Sequence, residues 1–222
     1  MINTNDLIIA LPKGRILNEI IPILNQVGII PHYSFFDKNC RKLKFSTNIK
    51  NIKLIRVRSF DVATFLTYGA AHLAIIGSDV LEEFNHSEIY SPLDFKIGLC
   101  RLVIASKKDM IEEINPVEWS HVRVATKYPN ITFRFFQKRG IYADCIKLNG
   151  AMELAPNMGL CRRIVDLVSS GKTLEANNLI EIEEIPKVST RLAINRGAYK
   201  TNLNEIKGII DMFESVLNDK KK

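Results

Sequence analysis

Short apolar runs rich in β-branched residues recur along the chain and alternate with segments of helical periodicity, which forces the strands into buried, largely parallel sheets flanked by helices. Leu7–Leu11 reads as such a strand, Arg15–Val27 as a helix, and Arg41–Phe45 and Ile52–Val57 as further strands. A helix from about Asp61 to Tyr68 is closed by Gly69, the strand Leu73–Ile76 follows, and the next helix is entered through Gly77, Ser78 and Asp79. Pro22 removes a hydrogen bond inside the first helix and should kink it. A second set begins with the apolar strand Gly98–Ala105 and runs through strand Val122–Thr126, helix Asn130–Arg139 stopped by Gly140, and strands Ala143–Leu148 and Ile164–Val168. Ile180–Ile185 and Arg191–Asn195 are strands, and Leu203, Ile206, Ile209, Ile210, Phe213, Val216 and Leu217 stand at the spacing of an amphipathic helix, read as core more than as a dimer surface. No Pro-, Gly- or Ser-rich linker, repeat or low-complexity segment interrupts this order. The expectation is an α/β chain of two lobes joined by crossing strands, with residues 1–97 plus 186–222 as a discontinuous first domain and 98–185 as the second.

Composition narrows the function classes. With 222 residues, 46% of them hydrophobic, the chain can bury roughly 70% of its unfolded surface. No apolar run reaches the ~20 residues of a bilayer span, and Met1 to Asp6 lacks the pattern of a secretion signal, so no membrane association and a cytoplasmic location are expected. Cys40, Cys100, Cys145 and Cys161 are scattered without a C-x-x-C and read as reduced thiols; His32, His72, His86 and His121 are equally isolated, which speaks against a metal site built on protein imidazoles. The net charge of +7 favours anionic partners. Lys220, Lys221 and Lys222 contribute to it as a solvated tail, and the other basic residues lack arginine-aromatic clustering, so nucleic acid is not the expected partner. Trp119, Phe135 and Phe136 read as packing residues.

Two segments can bind phosphate. Leu11-Pro12-Lys13-Gly14-Arg15 lies where a strand gives way to a helix, whose free N–H groups attract anions; Gly14 permits close approach, and Lys13 and Arg15 add positive charge. A tight turn with two solvated cations would use the same residues. In the second, Asp166, Leu167 and Val168 end an apolar strand and lead into Ser169-Ser170-Gly171-Lys172-Thr173-Leu174, whose successive N–H groups and hydroxyls can wrap a phosphate monoester. Here the alternative is an ordinary strand-to-helix turn with hydroxyl caps. Arg41 and Arg58, on or just after strands, have the planar fork that suits a pyrophosphate, or are surface arginines. Asp61 and Asp79 are explained as helix caps, and Glu153 can meet ribose hydroxyls or a magnesium shell, or be an exposed helix carboxylate.

Taken in order, these segments resemble the short form of ATP phosphoribosyltransferase. The likeness runs over nearly the whole chain, through Ala10 to Leu17, Arg41-Lys42-Leu43, Gly69-Ala70-Ala71, Ile75-Ile76-Gly77 with Asp79-Val80, Ala125 to Asn130, Leu148 to Ala151, Glu153 to Pro156, and Ile164 to Val168 with Gly171 and Thr173-Leu174. Two departures stand out: Arg58-Ser59-Phe60-Asp61 replaces an Arg-Pro-x-Asp turn, and the basic pair Arg162-Arg163 replaces an acid before the Ile-Val-Asp strand.

The resemblance implies a fold like that of type II periplasmic binding proteins, two lobes around a cleft. It implies a reaction in which N1 of ATP attacks the anomeric carbon of 5-phosphoribosyl 1-pyrophosphate (PRPP), releasing pyrophosphate with Mg2+ present on the substrate phosphates. It further implies a homodimer that assembles with a regulatory subunit similar to histidyl-tRNA synthetase. On this reading Arg15 and Arg41 stabilise departing pyrophosphate, Lys13, Gly14 and Arg58 meet substrate phosphates, and Ser169 to Leu174 hold the 5-phosphate, with Asp166 and Glu153 facing the ribose. The competing reading is a non-catalytic two-lobed protein that binds a small anion.

Overall fold

The computed structural model describes residues 6–108 and 120–219. Met1 to Asn5, Trp119 and Lys220, Lys221 and Lys222, the last four read above as a packing residue and a solvated tail, lie outside the described residues. The elements begin with β1 (Leu7–Pro12), α1 (Arg15–Gln26), a 3-10 turn (Tyr33–Phe35), β2 (Lys44–Ser46), β3 (Ile52–Val57), α2 (Ser59–Thr67), β4 (Leu73–Gly77), α3 (Ser78–Phe84) and β5 (Ile89–Asp94). They continue with β6 (Cys100–Lys107), β7 (His121–Thr126), α4 (Pro129–Gln137), β8 (Tyr142–Lys147), α5 (Leu154–Asn157), β9 (Arg163–Val168), α6 (Lys172–Ala176) and β10 (Leu179–Val188). Last come β11 (Thr190–Asn195), α7 (Arg196–Thr201) and α8 (Leu203–Asp219). The chain divides into two compact units: the part up to Gly98 joins the part from Ser189, and Leu99–Val188 forms the other.

The first unit is built on a six-stranded sheet, ordered β2-β3-β1-β4-β11-β5. β1 pairs in parallel with β3 and β4, while the remaining pairs are antiparallel. All six residues of β1 are buried, as expected of a central strand covered on both faces. Its alternation distributes them to two cores. Leu7, Ile9 and Leu11 pack with Ile20, Ile23 and Leu24 of α1 and with Ile206, Ile209 and Phe213 of α8. Ile8 and Ala10 pack with Val62, Ala63 and Leu66 of α2. The C-terminal helix is thus core, with Phe95 and Phe213 edge to face at 5.2 Å.

A five-stranded sheet, β10-β6-β9-β7-β8, carries the second unit, with β9, β7 and β8 paired in parallel and β6 antiparallel to both of its neighbours, β10 and β9. Val103, Ala105, Ala125, Ile164 and Val168 pack there with Met152, Ala155, Leu174 and Leu179.

Several element ends differ from the sequence reading. β2 begins at Lys44, so Arg41 lies in the preceding loop, and only Phe45 of the short strand is buried. β6 begins at Cys100 because Gly98 has φ +62°, outside strand geometry. β5 was not foreseen: Pro92 disguises it, and its place at the sheet edge is what makes a proline tolerable. Asp61 and Asp79 lie in the first turns of α2 and α3, but the cap positions belong to Arg58, whose side chain makes no capping hydrogen bond, and to Gly77, which has no side chain to make one. Both acids still face the positive end of the helix dipole. Helix α1 runs uninterrupted past Pro22.

Parallel pairing decides where ligands can meet each unit. The C-terminal ends of β1, β3 and β4 share one edge, as do those of β7, β8 and β9, and in open α/β sheets the loops leaving such edges form binding sites.

Candidate functional site

In the second unit, β9 delivers the chain into the Ser169–Gly171 turn, and Gly171 (φ +76°) forms the left-handed N-cap of α6. A residue with a Cβ would be strained there. Because the glycine backbone makes this cap, the hydroxyls are left over: those of Ser169, Ser170 and Thr173 have no hydrogen-bond partner among the described residues. Leu174 and Val168 anchor the turn from below in the core, while Ser169, Ser170, Lys172 and Thr173 are exposed.

All of these but Lys172, together with Gly171, wall a recess of about 80 Å³ whose other side is Asp166 and Glu153. That is room for two or three waters at roughly 30 Å³ each, the scale of one phosphoryl group. Asp166 Oδ1 accepts a 2.8 Å hydrogen bond from the Leu167 N–H. Burial is the main reason its carboxyl is pushed up to about 6; the Leu167 bond opposes this, Glu153 adds like-charge repulsion, and Lys127 opposes it in turn. Glu153 sits at the N-cap position of α5, half-buried and turned to the recess, and is not the freely exposed carboxylate that remained possible from sequence. Lys127 was not singled out from the sequence, although its place directly after β7 is the signal that could have found it.

In the first unit, the Lys13 N–H donates to the Val57 carbonyl at 2.9 Å, which sets the Lys13-Gly14-Arg15 turn beside Arg58 at the ends of β1 and β3. Gly14, the N-cap of α1, has φ +102°, and a methyl group there would meet nothing within 4 Å. The Arg56 N–H donates to the Leu43 carbonyl at 2.9 Å, continuing the β2–β3 register toward the sheet edge where Arg58 follows β3, so the loop carrying Arg41 leaves from that edge too. The side chains of Lys13, Arg41 and Arg58 are exposed and without a partner among the described residues. Arg15 is engaged instead: it donates to the Gly98 carbonyl at 3.4 Å and lies 3.7 Å from Glu19, whose other oxygen accepts the Gly98 N–H at 2.7 Å.

The two departures have structural placements. Ser59 starts α2 directly and Phe60 packs on the second core, so no stiffened turn precedes that helix. Arg163 is a buried residue of β9, and the Arg162 carbonyl accepts from Ser106 Oγ at 2.9 Å. Among the described residues no group of three or more histidine, cysteine, aspartate or glutamate side chains could hold a metal ion, and no helix is long and apolar enough to cross a membrane. Among the described residues none of the four cysteines forms a disulfide.

A family model described as HisG, ATP phosphoribosyltransferase, matches residues 58–215. A protein of Rhizorhabdus wittichii named ATP phosphoribosyltransferase is 55% identical over 217 residues, 98% of either chain. One of Rhodospirillum rubrum with the same name is 56% identical over 207 residues, covering 93% of this chain and 91% of the relative. Among solved structures, the ATP phosphoribosyl transferase (HisG:HisZ) complex from Thermotoga maritima superimposes with a TM-score of 0.79 at 30% identity, covering 96% of this chain and 99% of the other. The substrate-binding protein of an amino acid ABC transporter, at 12% identity over 97% of this chain and 93% of its own, shares the fold with a TM-score of 0.60, in line with the type II periplasmic-binding-protein architecture expected from the sequence. With a family match over most of its length and relatives identical at more than half of their positions, this chain belongs to the ATP phosphoribosyltransferase family.

Proposed function

We infer that the chain joins N1 of ATP to the anomeric carbon of PRPP, giving phosphoribosyl-ATP and pyrophosphate, the first step of histidine biosynthesis. Within the molecule, the observation that carries this reading is the turn after β9, where three hydroxyls without a partner among the described residues and a left-handed glycine stand beside two carboxylates. This arrangement suits a sugar phosphate: Ser169, Ser170, Gly171, Lys172 and Thr173 take the 5-phosphate, Leu174 fixes the turn, and Asp166 and Glu153 accept hydrogen bonds from ribose hydroxyls.

As the N1–C1 bond forms, the C1–O bond breaks and pyrophosphate leaves with the electron pair. Positive charge grows on the ribose and negative charge on the leaving group. Fixed cations near that charge lower the barrier selectively. Arg41 and Arg15 serve the leaving group, and Lys13, Gly14 and Arg58 hold substrate phosphates. Arg41 is the freer of the two catalytic arginines, since Glu19 and the Gly98 carbonyl already engage Arg15. The adenine N1 brings its own lone pair, so no general base is required. Two carboxylates facing one recess fit a hydrated magnesium ion carried in on diphosphate better than an ion ligated wholly by protein. Bound there, Mg2+ supplies charge neutralisation of the diphosphate.

The Thermotoga maritima relative was solved as a HisG:HisZ complex. We extend that assembly to this chain, as a homodimer joined by a regulatory subunit similar to histidyl-tRNA synthetase, located in the cytoplasm where ATP and PRPP are made. The alternative, a non-catalytic small-anion binder, is not favoured by membership of a transferase family.

The test is to mix the purified chain with ATP, PRPP and Mg2+, with and without the regulatory subunit, and to look for phosphoribosyl-ATP by mass spectrometry. Its absence in both mixtures would overturn the assignment. Arg41→Ala should depress kcat by ~2 to 4 kcal/mol in barrier terms, with a smaller effect on KM. Unchanged turnover would remove Arg41 from the mechanism.

A further inference from the structure

Beneath the phosphate-binding turn lies an ion pair that the proposed chemistry does not use. Arg101, at the start of β6, presents both prongs of its guanidinium to Glu181 of β10: Nη1 donates to Oε2 at 2.8 Å and Nη2 to Oε1 at 3.0 Å. Nη1 also lies 3.5 Å from Glu184. Glu181 in turn reaches the turn itself, since a methyl group added at Gly171 would stand 3.5 Å from Glu181 Oε1. Arg101 is the register partner of Val168, the residue that leads into Ser169. One guanidinium therefore neutralises a carboxylate lying directly against the glycine whose backbone faces the ligand.

Other arginine–carboxylate pairs in this unit, Arg123 with Asp144 and Arg139 with Glu183, are also partly exposed, and such pairs ordinarily contribute little. What distinguishes Arg101 is its carboxylate partner's position. An unpaired carboxylate at Gly171 would oppose a phosphate arriving at the same turn, whereas a paired one leaves the N–H groups and hydroxyls to set the local field.

We propose that Arg101 is a positioning residue for the phosphate-binding turn, holding Glu181 in a two-pronged salt bridge so that this carboxylate does not compete with the 5-phosphate of a phosphoribosyl substrate. The proposal rests on the reading of the turn as a PRPP site. It acts through Glu181, so removing Arg101 harms binding only while Glu181 keeps its charge.

Titration calorimetry of PRPP with Mg2+ onto the full chain, wild type and variants, tests it. Arg101→Ala should weaken PRPP binding by about tenfold, and Arg101→Ala/Glu181→Gln should recover most of that loss while ATP binding is unaffected in both. Glu181→Gln alone, which keeps the shape of the side chain, should bind PRPP at least as tightly as wild type and remains informative if Arg101→Ala does not fold. Normal PRPP affinity in Arg101→Ala, a double variant as weak as the single one, or weakened binding in Glu181→Gln would each overturn the role of Arg101. Failure of the wild type to bind PRPP would instead sink the assignment of the turn, and the role of Arg101 with it.

Discussion

Burial lifts the Asp166 carboxyl from 3.8 to about 6, with Glu153 adding to the rise and the Leu167 N–H and Lys127 opposing it. The folded chain therefore holds this proton more tightly than the unfolded one. The associated stability is fully present below pH ~4 and is lost as pH rises through about 6. At pH 8 the charged, half-buried carboxylate costs on the order of 2 kcal/mol. Asp166→Asn should then be more stable than wild type at pH 8 by about that amount, with the difference vanishing near pH 3.5, while PRPP binding weakens. Urea unfolding at the two pH values measures this, and a stability difference that does not change with pH would refute it. Asp166 could be picked from the sequence because it ends an apolar strand before a hydroxyl-rich turn. Its partnership with Lys127 and Glu153 could not, because Lys127 meets it through the pairing of β9 with β7 and Glu153 through the placing of the N-cap of α5 at the same recess.

At the scale of elements, Gly98 shows how one residue joins two of them. Its N–H and carbonyl are both tied to α1, through Glu19 and Arg15, and its φ of +62° turns the chain out of strand geometry. An added methyl group would lie 2.8 Å from Thr190 Oγ1 and 3.3 Å from Ile16 Cγ1. Gly98→Ala combines left-handed strain of about 1 to 2 kcal/mol with overpacking. Together these should lower Tm by roughly 5 to 10 °C, as read by calorimetric melting; an unchanged Tm would show that the turn relaxes freely. The sequence placed the glycine inside a strand, since its apolar neighbours carry a period that says nothing of φ. Where such backbone geometry or edge position decides, an element's end was misjudged, as at Arg41, or the element was missed, as with the edge strand that holds Pro92. Interiors were legible, because a buried strand such as Leu7–Pro12 must be apolar throughout.

At the scale of the whole molecule, the C-terminal helix completes a core begun more than two hundred residues earlier. Phe213 is fully buried, touches Phe95, and shares its cluster with Leu7, Ile9 and Leu24. Phe213→Ala should cost about 3 to 5 kcal/mol, the loss for a large aromatic in a core that cannot collapse. Denaturant unfolding checks this, and a loss under 1 kcal/mol would place the helix outside the cooperative unit. By itself the sequence marked the other strands and the longer helices and singled out two short motifs as candidate phosphate sites, but not β5, α5, α6 or α7, because periodicity and turn composition act over a few neighbouring residues and need enough of them to show. Tertiary structure alone decided that Arg41 leaves from the edge shared with Arg58, that Glu153 faces Asp166, and that Arg101 reaches Glu181 beside Gly171. Those meetings depend on strand order and register between distant segments, which a local pattern permits in many arrangements and only the packed sheets reduce to one.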